Sequence, residues 1–262
     1  MILLALATAC GTCDARSTGT GNPIQDAIDG ADEGDTLVVC AGVYEGTFQI
    51  DKELSLVAEA DTSGVWLDGL GDGPILTITD AAVTLENIGF QNGGTGDDGR
   101  GGGVWIEQDD SLSRPYVVLD GVVTQENQDS GVVITGGTLV ARDLAASDNR
   151  AEVGGALRVL AGEVSLDDPS FLGNDADLGG AIYVDDGGEV TLTRGRVCEN
   201  RATNGGGAWL VAASSEDPPG QLTAISSDWC EGDEDNSPDD VATTDNSYLF
   251  GDNVDFTLSG PD

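Results

Sequence analysis

Short apolar runs alternate with polar turn residues along almost the whole chain. The runs are rich in Val, Leu and Ile, and Gly, Asp and Asn stand at their ends. Two of them, GEVSLDD from Gly162 and GEVTLTR from Gly188, alternate apolar and polar positions, as expected of strands buried on one face. The only helical pattern is short, at about Pro23 to Ala31. We therefore predict an all-β chain with one small N-terminal helix.

One phrase recurs: a polar turn ending in Asn, a few variable residues, a Gly pair and an apolar strand. It occurs as SDNRAEVGGALRV from Ser147, GNDADLGGAIYV from Gly173 and ENRATNGGGAWLV from Glu199. The turn asparagines are spaced 22, 25 and 26 residues apart, and they are Asn127, Asn149, Asn174 and Asn200. Repeats of this length indicate stacked units, none of which can bury its apolar face alone.

Each period has room for two or three short strands. Three strands per turn, stacked in parallel at about 4.8 Å per coil, is the geometry of a β-helix. Asparagine suits one corner because it tolerates left-handed backbone and its amide can bond the next copy in the stack. Glycine at the following corner allows a tight bend. The four asparagines are therefore predicted to be structural turn residues.

At these residues the chain resembles the pectate-lyase-like right-handed β-helix superfamily. The pairing of FLGN (171–174) with GGAI (179–182) is similar to the repeat of chlamydial-type polymorphic outer-membrane proteins, and residues 23–59 resemble the opening segment of such helices. The resemblance implies a right-handed parallel β-helix of roughly nine or ten coils with a short N-terminal capping helix. It implies a single domain over 21–262, with the cap at about 21–35 and a closing segment at about 226–262.

The first twenty residues have a different character. Met1 to Ala9 form an apolar run that ends in small residues before Cys10, and Ala7 to Cys10 resemble the lipobox of a bacterial lipoprotein signal. That resemblance implies a signal and tether over 1–20, a lipid on Cys10, and export to the outer membrane, cell surface or medium of a Gram-negative-type bacterium. The alternative is that the run forms a first strand or cap of the stack.

Four cysteines remain besides Cys10. They allow three pairings, and an even number in an exported chain suggests disulfides. Cys198 and Cys230 stand in similar phrases, RVCEN and DWCEG, so equivalent places in adjacent coils would put their Cα atoms within disulfide reach. We favour this pair, which leaves Cys13 with Cys40. Reduced, buried cysteines are the alternative.

Charge and composition narrow the function. The chain has 48 acidic and 10 basic residues, a formal net charge of −38, and no histidine. Nucleic-acid binding is excluded because phosphate binding needs clustered Lys and Arg. Histidine-dependent catalysis is excluded because the chain has no histidine. Acidic loops favour Ca²⁺. Candidate calcium ligands are Asp68, Asp72, Asp97, Asp98, Asp233 and Asp235.

These observations favour a non-enzymatic surface scaffold or adhesion module without catalytic residues. Its expected partners are an extracellular polysaccharide or a surface protein, it is expected to be monomeric, and it would touch membrane only through the N-terminal lipid. The alternative is a polysaccharide lyase or glycoside hydrolase acting through surface carboxylates with calcium. A halophile protein would also carry this charge. Trp105 and Trp209 hold the same place in two repeats, either as a sugar-stacking platform or, as we favour, as core.

Overall fold

The computed structural model describes residues 13–15, 22–59, 64–97, 99–109, 113–185, 187–211, 220–230, 234–243, 248–252 and 258–259. They form one short helix, α1 (Pro23–Gly30), followed by strands. The first three coils hold β1 (Asp35–Val39), β2 (Gly42–Glu45), β3 (Phe48–Ile50), β4 (Leu54–Ala58), β5 (Val65–Asp68), β6 (Leu76–Thr79), β7 (Ala82–Glu86), β8 (Ile88–Gln91) and β9 (Val104–Glu107).

The next three coils hold β10 (Tyr116–Asp120), β11 (Val123–Gln125), β12 (Val132–Ile134), β13 (Thr138–Arg142), β14 (Ala145–Ser147), β15 (Leu157–Val159), β16 (Gly162–Asp167), β17 (Ser170–Leu172), β18 (Asp175–Leu178) and β19 (Ile182–Val184). The remaining strands are β20 (Gly188–Thr193), β21 (Arg196–Cys198), β22 (Arg201–Asn204), β23 (Ala208–Leu210), β24 (Gln221–Ile225), β25 (Val241–Thr243), β26 (Tyr248–Asp252) and β27 (Leu258–Ser259).

The strands stack into three long parallel sheets, one on each side of the coil. Sheet A has nine strands (β1, β4, β7, β10, β13, β16, β20, β24, β26) and sheet B has seven (β2, β5, β8, β11, β14, β17, β21). Sheet C has nine (β3, β6, β9, β12, β15, β19, β23, β25, β27), and β18 and β22 form a small additional sheet. The predicted all-β parallel solenoid is confirmed.

The predicted nine or ten coils were too many. The last complete three-sided coil contains β21, the seventh strand of sheet B. Seven stacked strands are separated by six steps, so the described solenoid makes about six full turns from its first complete coil to its last. Among the described residues, the segment after β21 adds strands to sheets A and C but not to sheet B. The coil number implied by the resemblance is too high because this closing segment leaves the three-strand pattern.

The core fills the inside of the coils. In β16, Val164 and Leu166 are buried while Glu163 and Ser165 face out, and the same alternation recurs along sheet A. Matching side chains stack in register from coil to coil; one inner column contains Leu56, Leu85, Leu119, Ala141, Leu166 and Leu192. Burying each leucine contributes about 1.5–3 kcal/mol, so stacking stabilises coils that would not fold singly.

Single left-handed residues turn the chain at two corners. Between sheets A and B, φ is positive at Asn87, Gly121, Asp143, Asp168 and Arg194. Between sheets B and C it is positive at Asn92, Glu126, Asp148, Gly173 and Glu199, each immediately before the place of a repeat asparagine or its equivalent. The repeat asparagines do not have positive φ. We had expected them to supply the left-handed turn; the preceding residue does so, which lets the asparagine side chain point inward.

The asparagines form a continuous buried ladder. The Nδ2 of Asn127, Asn149, Asn174 and Asn200 each donates to the Oδ1 of the next asparagine, at 2.8–2.9 Å. The last acceptor is Asn236, which the sequence did not reveal because it lies in the irregular closing segment. Each Nδ2 from Asn149 onward also donates to a backbone carbonyl of a neighbouring sheet B position. The ladder thus joins five successive levels of the stack.

Helix α1 covers the first coil. Asn22 caps it by accepting from the backbone N–H of Gln25 at 3.2 Å, and Ile24 and Ile28 are fully buried. The Lys52 Nζ donates to the carbonyl oxygens of Ile28 and Ala31 at 2.9 and 3.0 Å, satisfying the end of the helix. The predicted capping helix is confirmed, and it protects the apolar interior that the first coil would expose.

Both favoured disulfides are present. Cys13 is bonded to Cys40, with Cα atoms 5.4 Å apart, and Cys198 is bonded to Cys230, with Cα atoms 5.5 Å apart. The first holds the N-terminal segment beside the end of β1. The second ties the last strand of sheet B to the closing segment. The cysteines are therefore not thiolate ligands, although each pair lies near one acidic side chain.

Candidate functional site

The outer face of sheet C carries a row of large side chains. Strand pairing places Trp105, Val133, Arg158, Tyr183 and Trp209 opposite one another in successive coils. Their sequence neighbours, such as Val104 and Ile106, point into the core, so the row points away from it. We call these five residues the aromatic row. Adjacent members are about 4.8 Å apart along the stack.

One end of the aromatic row is covered. Trp105 is only 7% exposed, and its Nε1 donates to the Glu107 carboxylate at 3.3 Å. Arg100, on the glycine-rich loop before β9, forms an ion pair with the same carboxylate at 2.9 Å. Val133 is fully buried. Within the row, Arg158, Tyr183 and Trp209 are partly exposed, so the open part of the row spans three coils.

The favoured interpretation of the tryptophans as core holds for Trp105, which is buried, but not for Trp209, which is partly exposed. Strand alternation directs both to the outer face of sheet C, so neither belongs to the interior cluster. Sequence reasoning did not identify Arg158 and Tyr183 as members of the row. Aligning the repeats could have found them, because Arg158 in ALRV, Tyr183 in AIYV and Trp209 in AWLV occupy the same column. The extra glycine in GGGAWLV shifts that copy by one position and obscures the match.

Glycines beside the row let its side chains pack closely on the backbone. Gly154 and Gly179 each have φ near +61°, and they precede β15 and β19. A Cβ at Gly154 would lie 2.9 Å from the Cβ of Tyr183, and one at Gly179 would lie 3.0 Å from the backbone nitrogen of Trp209. A larger residue at either position would therefore push the neighbouring row residue away. These glycines allow close packing beside the row as well as the left-handed backbone that precedes each strand.

Arg158 occupies the middle of the row. Its Nε is shielded from solvent and has no hydrogen-bond partner among the described residues. It also forms no ion pair within that part of the chain, unlike Arg100, Arg142, Arg194 and Arg196. A guanidinium flanked by an aromatic ring and with unused donors can bind hydroxyl or anionic groups of a ligand.

The carboxyl group of Asp129 interacts electrostatically with Arg158 of the row. Burial raises the pKa of Asp129, and although the Ser130 backbone N–H and the charge of Arg158 act in the opposite direction, the pKa stays above its usual value. The nearby charge of Glu152 adds to the increase. Asp129 accepts from the Ser130 N–H at 2.8 Å, which fixes its orientation. The site therefore combines two aromatic rings, one cation and a carboxyl group that ionises reluctantly.

The predicted calcium ligands are not gathered into one site by the described residues. Burial raises the pKa of Asp68, but hydrogen bonds from Gln91, the Leu70 N–H and Asn92 outweigh it and lower that pKa. Its two oxygens accept these bonds at 2.8–3.0 Å. Within the described ranges, the only groups of three close metal-binding side chains contain disulfide cysteines, so Asp72, Asp97 and Asp235 are not part of such a group. Asp98 and Asp233 lie outside the described residues.

The N-terminal prediction also lies outside the described residues, since Cys10 and the apolar run precede Cys13. In the part of the chain that the structure covers, no helix is long and apolar enough to cross a membrane. The lipid on Cys10 stays a prediction.

Comparison with known proteins gives one local similarity. No protein-family model matches the chain. A stretch of 94 residues is 35% identical to the probable ABC transporter binding protein NosD of Pseudomonas aeruginosa. The match covers 36% of this chain and 19% of NosD, so the chain spans about a fifth of the length of that relative. This local similarity is therefore to a protein whose name describes it as a binding protein.

Proposed function

We propose that this protein is an exported, non-enzymatic binding scaffold and that its aromatic row holds a neutral polysaccharide. The observation that carries the proposal is the in-register alignment of Arg158, Tyr183 and Trp209 on an outer face. Aromatic rings offer flat apolar surfaces with low conformational freedom, and a neighbouring guanidinium offers hydrogen bonds to hydroxyl groups. The combination suits sugar rings, which have both apolar faces and polar edges.

The repeat of the solenoid supports a polymeric ligand. Because successive row members are about 4.8 Å apart, a chain lying along the stack would meet an equivalent position at each coil. A neutral chain is favoured because a protein with a net charge of −38 repels polyanions. The open row would therefore hold a few consecutive sugar units.

Export is supported by the two disulfides, which persist in oxidising compartments. The similarity to NosD, a probable ABC transporter binding protein, supports a binding role rather than catalysis. The right-handed coil, the lipid on Cys10 and a role in adhesion at an outer membrane or cell surface belong to the same proposal. In it the solenoid is a rigid spacer that carries the row away from its anchor.

Titration calorimetry with cello-oligosaccharides tests the proposal. Tyr183→Ala and Trp209→Ala should each weaken binding at the row at least about tenfold, because each removes a stacking surface whose loss costs about 1.4 kcal/mol or more. Tyr116→Ala is the matched control. Tyr116 is 50% exposed on the outer face of sheet A, between Ala82 and Thr138, and should be dispensable. Equal affinities in all four proteins would refute the row as a glycan site.

A polysaccharide lyase or glycoside hydrolase is the second candidate function. One observation favours it: the charges of Asp129 and Glu152 interact, and glycoside hydrolysis uses two carboxyl groups as acid and base or nucleophile. Incubating the protein with mixed-linkage β-glucan and measuring new reducing ends distinguishes the two functions. Release that Asp129→Asn abolishes would establish the enzyme; binding by the wild type without release supports the scaffold.

A further inference from the structure

A second aromatic surface lies on the outer face of sheet B. Strand pairing aligns Val43, Trp66, Gly89 and Val123 in one outward column. The Trp66 ring lies flat across Gly89, because a Cβ at Gly89 would sit 2.4 Å from its Cε3. The missing side chain is therefore what allows the indole to lie against the sheet. Val43 above it is 50% exposed, so this face is open to solvent.

A groove of about 320 Å³ runs beside the Trp66 ring. Gly89 and Gly121 contribute to its floor, Trp66 and Val123 to its sides, and the exposed Asn87 stands at the corner. None of the residues that line the groove carries a charge. On a chain with a net charge of −38, this neutral groove favours an uncharged ligand.

Two planar amide side chains lie further along the same strands, outside the residues that line the groove. Gln91 and Gln125 lie two residues beyond Gly89 and Val123 on the same outward face. The Gln91 Nε2 donates to Asp68 at 2.8 Å, and the Gln125 Nε2 donates to Gln91 at 3.5 Å. The bond to Asp68 orients Gln91, whereas the amide that lines the groove beside Trp66 belongs to Asn87. A flat ring and an amide in the same groove provide stacking and hydrogen bonds to a single ligand unit.

We propose that the Trp66 groove is a second carbohydrate site, which binds a neutral pyranose unit through the indole face and the Asn87 amide. Sheets B and C occupy different sides of the coil, so the groove and the aromatic row cannot share one straight glycan chain. The protein then links two polysaccharide chains. The linking role rests on the proposed function of the aromatic row, whereas the Trp66 site stands independently of it.

Calorimetric stoichiometry with cello-oligosaccharides tests the Trp66 site. The wild type should bind two ligands, Trp66→Ala one, and the Tyr183→Ala/Trp209→Ala double variant the other one. Gly89→Ala keeps the indole but forces it off the sheet, and it should behave as Trp66→Ala. Ala145→Ser, further along the same column, is the matched control and should bind two. Circular dichroism and a thermal melt confirm that each variant is folded; Trp66→Phe should retain partial affinity.

Turbidity and viscosity of mixed-linkage β-glucan test the linking role. The wild type should cross-link the polymer, and variants of either site should bind without cross-linking. If the wild type binds one ligand, and Trp66→Ala and Gly89→Ala abolish binding while the Tyr183→Ala/Trp209→Ala double variant does not, the groove is real and the aromatic row is not a glycan site. If Trp66→Ala and Gly89→Ala leave stoichiometry unchanged, or if the wild type binds no ligand, the proposal is overturned.

Discussion

At the residue scale, the ladder asparagines are fully used as hydrogen-bonding groups. In Asn174, the Oδ1 accepts from both the backbone N–H and the Nδ2 of Asn149, and the Nδ2 donates to the Ala146 carbonyl and the Asn200 Oδ1. An amide side chain has two donors and two acceptor positions, so none is left over. All these groups are buried, and each would lose its partner without water to replace it.

Asn174→Ala should therefore lower the free energy of unfolding by about 3 kcal/mol or more, since each orphaned buried group costs about 1–3 kcal/mol. Urea denaturation measures the change. Asp177→Ala, at an exposed position in the same coil, is the control and should stay within about 0.5 kcal/mol of wild type. A loss below 1 kcal/mol for Asn174→Ala would show that the ladder is not stabilising.

Asp68 should make stability depend on pH. Its pKa is lowered in the folded protein, because its hydrogen bonds outweigh its burial, so the stability it contributes is present above the unfolded pKa, about 3.9. This contribution is lost as pH falls from there through the lower folded pKa. Asp68→Asn should be less stable at neutral pH and should show a shallower loss of stability in acid. Chemical denaturation at several pH values checks this, and identical pH slopes for the two proteins would contradict it.

At the scale of elements, residue type and repeat length predicted most of what forms the coils. Alternating runs such as GEVSLDD and GEVTLTR became β16 and β20, and the helix beginning at Pro23 lies where its pattern placed it. The exact corner residues were not predictable from composition, because Glu126, Asp148 and Glu199 adopt left-handed backbone while the asparagine that follows each of them points its amide inward. The candidate site was predicted only in part: the sequence drew attention to its tryptophans, but Arg158 and Tyr183 look like ordinary strand residues until coils are aligned.

The Cys198–Cys230 disulfide should matter most to the closing segment, because β21 is the last described strand of sheet B. The bond closes a loop with a sequence separation of 32, which predicts about 3.7 kcal/mol of stabilisation. Replacing both cysteines by Ala should lower the urea midpoint and speed amide hydrogen exchange in β23 and β25. Exchange in β10 and β13 should be unchanged, since coils mainly contact their neighbours. Uniformly faster exchange in all coils would contradict this local effect.

At the scale of the whole molecule, the net charge of −38 should oppose folding through self-repulsion. Raising NaCl from about 0.01 M to about 1 M shortens the Debye length from about 30 Å to about 3 Å. We expect the melting temperature to rise over this range in both EDTA and Ca²⁺. A constant melting temperature would show that repulsion is not limiting stability.

The same melts separate salt from specific calcium binding. At matched ionic strength, a site that binds Ca²⁺ only in the folded state adds RT ln(1 + [L]/Kd), about 2.7 kcal/mol at one hundred times Kd. An additional Ca²⁺-specific increase would support the acidic loops as metal sites. Asp68→Asn should leave that increase unchanged, because the Asp68 oxygens are occupied by protein donors.

Two neighbouring coils are related by the same sequence separation in all three sheets, so this part of the chain is a repeating unit of fixed length. From β16 to β20, β17 to β21 and β19 to β23, every paired residue is 26 positions apart, and the ladder bond from Asn174 to Asn200 has the same separation. A duplication of that 26-residue unit would create a new coil whose amide, core and outer-face positions already match those of its neighbours. Gene-level duplication could therefore lengthen the rod in increments of about 4.8 Å while adding one further position to each outer face.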